Sequence, residues 1–350
     1  MQRNLFVDVP NTIAMRLKQA IVLLISSNNF SRSRLNAYYR RLSASDRSAF
    51  RTKYAKIFRK FGFPAQSGAW HIEFLGKELK IALNADRMWL DWDTAVSVIG
   101  HDIEVKQTYE EILRSAERPS IFFDVGANYG THSLLMASQG VKTYAFEPNS
   151  RCIRIGQEML DDNGLAADWH HTAVGSQHGT VCLTYSERDT WNGSVSAATD
   201  DPYCEKNESA KEIVNLQCLD DYVDALGACR LLVKIDVEGF ELDVIKGSER
   251  LLDTVKPLIV FESNLESDRS PVYEALRDRS YAIFDLPWSP ASRKGCLTSD
   301  AFLAHHGTNF LAAPTDRVCA KRRAVPERKG KAVGALGAKC AARHPGRATG

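Results

Sequence analysis

A chain of 350 residues that is 44% hydrophobic, 25% charged and 9% aromatic has the make-up of a soluble protein with one large α/β domain or two smaller ones. This composition excludes a wholly disordered chain, a collagen-like chain and a multi-span membrane protein, since the longest apolar run, residues 20–25, is far short of the roughly 20 residues that cross a bilayer. The net charge of +2 hides a partition: residues 1–60 carry 13 Lys/Arg against 2 Asp/Glu, residues 317–350 carry 10 against 1, and the stretch between holds 22 against 40.

Two basic ends around an acidic middle either meet something anionic, such as phospholipid, charged glycan or RNA, or form solvated surface that offsets the middle. Neither end carries an aromatic-and-basic nucleic-acid motif, so the second reading is preferred and no specific nucleic-acid partner is expected; peripheral membrane contact through the basic ends stays open. The 8 cysteines, at 152, 182, 204, 218, 229, 296, 319 and 340, form no CxxC pair and are too sparse for a disulfide framework. With no cleavable leader pattern in residues 2–25, the expectation is free thiols in a reducing cytoplasm.

In chain order, Ile13, Leu17, Ile21 and Leu24, then Leu35, Tyr39, Leu42, Phe50, Tyr54 and Phe58, recur at helical steps with arginines between them. These basic amphipathic helices are read as a cap on the domain rather than as membrane-surface helices. Residues 70–83 alternate weakly around Gly76-Lys77 and predict a hairpin. From 121 onward apolar strands at 121–125, 142–146, 169–174, 231–235, 258–261, 281–286 and 309–312 alternate with helices at 131–139, 149–162 and 240–252. That alternation predicts a mostly parallel sheet covered by helices on both faces. A β-like insertion, 178–218, has strands at 180–185 and 213–216 and turns at Asn192-Gly193 and Asp200-Asp201-Pro202. Asn192, Gly193 and Ser194 either rim an acceptor pocket or simply turn. Residues 317–350 are Ala, Gly, Lys and Arg with few large apolar side chains, and are expected to be disordered. The expected division is a basic helical cap with a hairpin over 1–100, the α/β domain over 101–316, and a basic tail over 317–350.

The most informative segment is Phe123-Asp124-Val125-Gly126-Ala127-Asn128-Tyr129-Gly130-Thr131-His132. A buried strand runs into a glycine turn and a helix, the place where ligands bind in a parallel sheet. Gly126 allows close backbone approach, Gly130 lets the helix start tightly, and the helix N-terminus offers N–H groups to a carboxylate or phosphate. The next strand ends at Glu147-Pro148-Asn149, where one carboxylate can accept from both hydroxyls of a ribose diol. The pair therefore indicates a nucleoside cofactor. The dinucleotide pattern GxGxxG is absent, and Asp124 suits a ligand ammonium better than a pyrophosphate. S-adenosylmethionine (SAM) has that ammonium, with a sulfonium, a carboxylate and a ribose.

These segments, with Leu232-Val233-Lys234-Ile235-Asp236-Val237-Glu238-Gly239-Phe240-Glu241, Val244-Ile245-Lys246-Gly247 and Phe261-Glu262, resemble the FkbM family of SAM-dependent methyltransferases. Ala173-Val174-Gly175, Leu219-Asp220 and Asn309-Phe310 are similar too. The resemblance covers about 121–313, and Asp236-x-Glu238-Gly239 is its most specific part. It implies a class I SAM-methyltransferase, Rossmann-like α/β fold: a seven-stranded, mostly parallel sheet with the last strand antiparallel. It further implies a cofactor-binding set of Asp124, Gly126, Ala127, Asn128, Gly130, Thr131, Glu147, Pro148 and Ala173. Asp124 and the glycine turn would hold the methionine end, the helix opened by Thr131 and His132 its carboxylate, and Glu147 the ribose. The adenine would lie near Pro148, Asn149 and Ala173.

Lys234, Asp236 and Glu238 sit two residues apart at the end of the fourth strand, so an extended chain would put them on one face. An alcohol acceptor needs a carboxylate to take its proton, which makes Asp236 or Glu238 the candidate base; Lys234 contacts the substrate or pairs with an acid. A metal held by Asp236, Glu238 and Glu262 is the minor alternative, and none is assigned. The adjacent His170 and His171 face opposite ways on a strand and do not share an ion. The preferred reading is O-methylation of a hydroxyl on a sugar, polysaccharide precursor or other natural product, with a small-molecule or glycan acceptor. Two other readings stay open: a nicotinamide-dependent oxidoreductase, disfavoured by the missing GxGxxG, and a non-catalytic methyltransferase-like module that binds anionic partners through its basic ends, disfavoured by the intact loop and Glu147.

Overall fold

The computed structural model describes residues 68–83, 101–186, 193–197, 209–292 and 295–317, with a few single positions before residue 50. The expectations for the helices of 11–60, the turns at Asn192 and at 200–202, and the tail beyond Arg317 lie outside the described residues.

A hairpin, β1 (Gly68–Phe74) and β2 (Lys77–Leu83), is followed by α1 (Ile103–Leu113), β3 (Ile121–Val125), α2 (Thr131–Ser138), β4 (Lys142–Glu147), α3 (Ser150–Asp161) and β5 (Asp168–Val174). The insertion supplies β6 (Gly179–Ser186), β7 (Gly193–Ala197) and β8 (Ser209–Gln217). A 3-10 turn (Leu219–Tyr222) and α4 (Val223–Leu226) lead to β9 (Leu231–Ile235), α5 (Glu241–Lys246), α6 (Glu249–Thr254), β10 (Leu258–Glu262), α7 (Ser270–Asp278), β11 (Tyr281–Asp285), α8 (Ser299–Leu303) and β12 (Asn309–Pro314).

The main sheet runs β11-β12-β10-β9-β3-β4-β5-β8-β6-β7. Strands β3, β4, β5, β9 and β10 are parallel, and β12 is antiparallel to both β10 and β11. The seven strands expected from the sequence are present, but among the described residues the sheet has ten. The insertion does not form a separate rim: β8 pairs parallel with β5, and β6 adds antiparallel to β8. Gly193 and Ser194 belong to the outermost strand, β7, which pairs with β6. At about 4.8 Å per strand they lie on the order of 20 Å from β3, too far to line a site there.

Strand β3 is buried on both faces, which is why it reads as an almost unbroken apolar run. Phe122 and Leu232 pack on one side with the hairpin (Ile72, Phe74, Leu79, Ile81), α1 and α2. Phe123, Val125, Val233 and Ile235 pack on the other with α5, α6 and α7. The chain leaves β3 towards β4 and β5, then returns to its other side as β9 and β10. That reversal opens a crevice at the carboxyl ends of β3 and β9.

The helix expected over 240–252 is two helices broken at Gly247-Ser248. A Cβ on Gly247 would lie 1.9 Å from the Gly175 carbonyl oxygen, so the two chains touch through bare backbone. Asp220 then caps α6, accepting from Arg250 N at 3.0 Å and Leu251 N at 2.8 Å. Gly175, Leu219-Asp220 and Gly247 are thus explained by packing beneath the site.

Candidate active site

The glycine turn is held on both sides. Gly126 N and Ala127 N both donate to the Phe146 carbonyl at 3.0 Å, and Gly130 N to that of Ala127 at 2.8 Å. The Glu147 carboxylate completes the clamp: Oε2 accepts from Asn128 N at 2.7 Å and Oε1 from Asn149 N at 2.8 Å. Gly126 has φ +76°, and a Cβ there would stand 1.8 Å from the Asp236 carbonyl oxygen. Its missing side chain therefore makes room for the end of β9, which joins β3 through Asp236 N and Val125 O at 3.0 Å. Gly130, φ +69°, gives way to the Trp169 ring, 2.9 Å from a would-be Cβ, and caps α2 at the half-buried Thr131. His171 donates from Nε2 to the Pro148 carbonyl at 2.9 Å, while His170 faces away and stacks on Phe146.

Behind the turn lies a buried charge row. Asp124 and Lys234 are register partners on adjacent strands and both are buried. Lys234 Nζ meets Asp236 Oδ2 at 2.6 Å. Burial works against the Lys234 ammonium, but Asp236 and Asp124 outweigh it and hold its pKa above the ordinary value. Burial raises Asp124 to about 6 despite Lys234 and a 2.6 Å bond from Ser133 Oγ to its Oδ2. Its other oxygen, Oδ1, is buried with no partner. Burial also lifts Glu147 to about 7 in spite of its two amide donors.

The strand geometry expected for Glu238 does not hold. Strand β9 ends at Ile235, and Glu238 sits in a left-handed turn at φ 49°, followed by Gly239 at φ 98°. Glu238 is therefore exposed beside Asp236 rather than in line with it. Partial desolvation of its carboxyl and the Asp236 and Glu241 charges raise its pKa. Ala173 is not brought into the group either: its side chain packs with Val181, Leu183, Tyr185 and Val214 in the insertion's own small core.

The sequence reading gave Glu262 only a minor role as a metal ligand, and Arg269, Lys106 and Tyr109 escaped it. Glu262, at the end of β10, is pushed up to about 8 by burial and by the Asp236 carboxylate, to which it is hydrogen-bonded. Arg269, buried, donates to the carbonyls of Ser263, Phe302, His305 and Gly307 and so fixes the turn after Glu262. Lys106 and Tyr109 come from α1 and are both buried. That helix was legible, since Val105, Tyr109, Ile112 and Leu113 follow a helical spacing. Among the described residues, no group of three or more His, Cys, Asp or Glu side chains is arranged to hold a metal ion.

A glycine turn clamped by the acid of the next strand, at the switch point of a sheet whose β12 runs antiparallel beside the β11 edge, defines a class I methyltransferase fold. Residues 124–282 match the Methyltransferase FkbM domain. The chain is 28% identical over 150 residues to the hexuronic acid methyltransferase AglP of Haloferax volcanii, covering 43% of this chain and 58% of that protein. It is 23% identical over 194 residues to methyltransferase 1 of Beauveria bassiana, covering 50% of this chain and 78% of that one. The chain thus spans little more than half the length of the archaeal relative. Among solved structures, it is similar to the FkbM methyltransferase of Methylobacillus flagellatus KT (14% identity, 63% of this chain and 54% of that chain, TM-score 0.36). It is also similar to a SAM-dependent methyltransferase of Agrobacterium tumefaciens (12% identity, 73% of each chain, TM-score 0.38). No helix among the described residues is long and apolar enough to cross a membrane.

Proposed function

We propose that this chain is a cytoplasmic SAM-dependent O-methyltransferase whose catalytic unit is residues 101–316 and whose acceptor is a sugar hydroxyl. The carrying observation is Asp124, a wholly buried carboxylate with one oxygen left without a partner beside the glycine turn. A buried acceptor of this kind is matched by a cationic ligand group, and the α-ammonium of SAM is one. A pyrophosphate would meet a negative charge there, which speaks against the nicotinamide reading. Glu147 retains acceptor capacity on both oxygens for ribose hydroxyls. The similarity to a hexuronic acid methyltransferase makes carbohydrate acceptors the first to try.

When bound, SAM supplies a methyl group on a sulfonium, already primed for displacement. The chain's own part is alignment, exclusion of water and removal of one proton. Asp236, half-buried at the mouth of the crevice, takes the proton of the acceptor hydroxyl as its oxygen attacks. Lys234 holds Asp236 Oδ2 in place. Glu262, hydrogen-bonded to Asp236 and raised in pKa by burial and by that carboxylate, is the second acid beside that base.

The test is release of S-adenosylhomocysteine (SAH) by the full chain offered SAM and hexuronic acid-containing oligosaccharides. Asp236→Asn is expected to keep SAH affinity and lose turnover by about 10²-fold or more. Wild-type protein that gains no thermal stability from SAH refutes the cofactor assignment; SAH binding without methyl transfer to any sugar refutes the acceptor assignment.

A further inference from the structure

Helix α1 lies before the matched stretch of 124–282, yet it packs against the same end of the sheet. It begins at Asp102, in a left-handed conformation at φ 44°. Two of its buried polar side chains are satisfied. Thr108 Oγ donates to the Glu104 carbonyl at 2.8 Å and accepts from Trp288 N at 2.9 Å, and Lys106 Nζ donates to the His101 carbonyl. Tyr109 is different: it is 0% exposed and its hydroxyl has no partner.

Two further orphaned atoms belong to neighbouring elements. The His132 ring stands edge-on to Tyr109 with centroids 5.7 Å apart, and its buried Nδ1 has no partner. The next residue, Ser133, bonds Asp124 Oδ2, which leaves Oδ1 of that carboxylate as the third. Tyr109 also packs edge-on against Phe122 at 5.9 Å, and Phe122 shares a strand face with Asp124. The Asp124 charge reaches the phenol and, after burial, is the main cause of its raised pKa. His132 is kept neutral by burial and by the Lys234 and Lys106 charges.

A buried polar atom without a partner is destabilising. Three such atoms, on α1, at the start of α2 and on β3, in elements packed against one another, are not what a finished core leaves behind. Their chemistry is complementary to an amino-acid head group: a phenol that donates, a carboxylate oxygen that accepts, and an imidazole nitrogen of either sense according to its tautomer. We propose that Tyr109 is a recognition residue for the amino-acid head of the methyl donor, its hydroxyl donating to the ligand carboxylate while Asp124 Oδ1 accepts from the ligand ammonium. This rests on the methyltransferase reading and adds α1, outside the matched domain, to the donor site.

The test compares SAM with decarboxylated SAM, which keeps the ammonium, sulfonium and nucleoside. Calorimetry on the full chain is expected to find that Tyr109→Phe weakens SAM binding about tenfold or more and leaves the decarboxylated ligand unchanged. The unliganded Tyr109→Phe protein is expected to melt no lower than wild type, because the hydroxyl it loses had no partner. Wild type by itself is expected to favour SAM over the decarboxylated form, a comparison that needs no variant. Equal SAM affinity in wild type and Tyr109→Phe, or equal losses for both ligands, overturns the assignment. Wild type that binds neither ligand overturns the methyltransferase reading, and the role of Tyr109 with it.

Discussion

Replacing Lys234 by methionine keeps most of the side-chain volume and removes the one charge that Asp124 and Asp236 share. The lysine side chain is 2% exposed and lies 2.6 Å from an Asp236 that is 31% exposed. Removing one partner of a buried pair typically destabilises by about 3–5 kcal/mol. The partial solvation of Asp236 puts the expected loss near the lower figure, about 3 kcal/mol. For a domain of this size that is a fall in melting temperature of about 6–12 °C. The sign with pH is set by Asp124, raised to about 6 in the wild type. Above that value its carboxylate is ionised, and the variant buries it without a cation. Below it Asp124 is neutral in both proteins, and only Asp236 lacks its partner. Differential scanning fluorimetry of both proteins at about pH 8 and about pH 5 should therefore find the larger gap at the higher pH. An equal gap at both values would mean that Lys234 acts through packing, and no gap at either would dismiss the buried charge row altogether.

Gly126→Ala should destabilise by about 3 kcal/mol or more, because the new methyl meets the Asp236 carbonyl as well as a left-handed backbone. Gly76→Ala, at φ +80° with nothing within 4 Å, should lose only about 1–2 kcal/mol; chemical denaturation of the two variants separates the clash from the backbone preference. SAH affinity should rise with pH by up to about tenfold per unit below 6 and level off above it, since protonated Asp124 cannot pair with an ammonium. Calorimetry across that range should find the slope flattened in Asp124→Asn.

Much of this arrangement is written locally. Phe123 to Thr131 read as strand, turn and helix from apolar run and glycine alone, and they fold that way. The strand at Lys142–Glu147 could be placed with its acid at the end, and Asn149 caps α3 through Arg151 N at 3.0 Å, as its residue type favours. Other features had no local signature. Gly193–Ala197 is Gly-Ser-Val-Ser-Ala, a run too polar and small to announce a strand; it is one because β6 offers it an edge. Glu238 obeys strand alternation on paper, but the strand ends at Ile235 and the chain turns at Glu238-Gly239. The unity of 240–252 as a helix yields to the approach of Gly247 to Gly175, more than seventy residues away in sequence.

The amino-acid sequence by itself determined the fold class, the order of the main strands and the residues of the glycine turn, because each rests on periodicity or on a backbone preference within a few neighbouring residues. The tertiary structure alone decided which groups share a low-dielectric space: Lys234 between Asp124 and Asp236, Glu262 against Asp236, and Tyr109, from a helix that precedes the strand, within the field of Asp124. Proton affinity in such a place depends on burial and on charges brought together across strands, and those are properties of the packed chain rather than of any stretch of it.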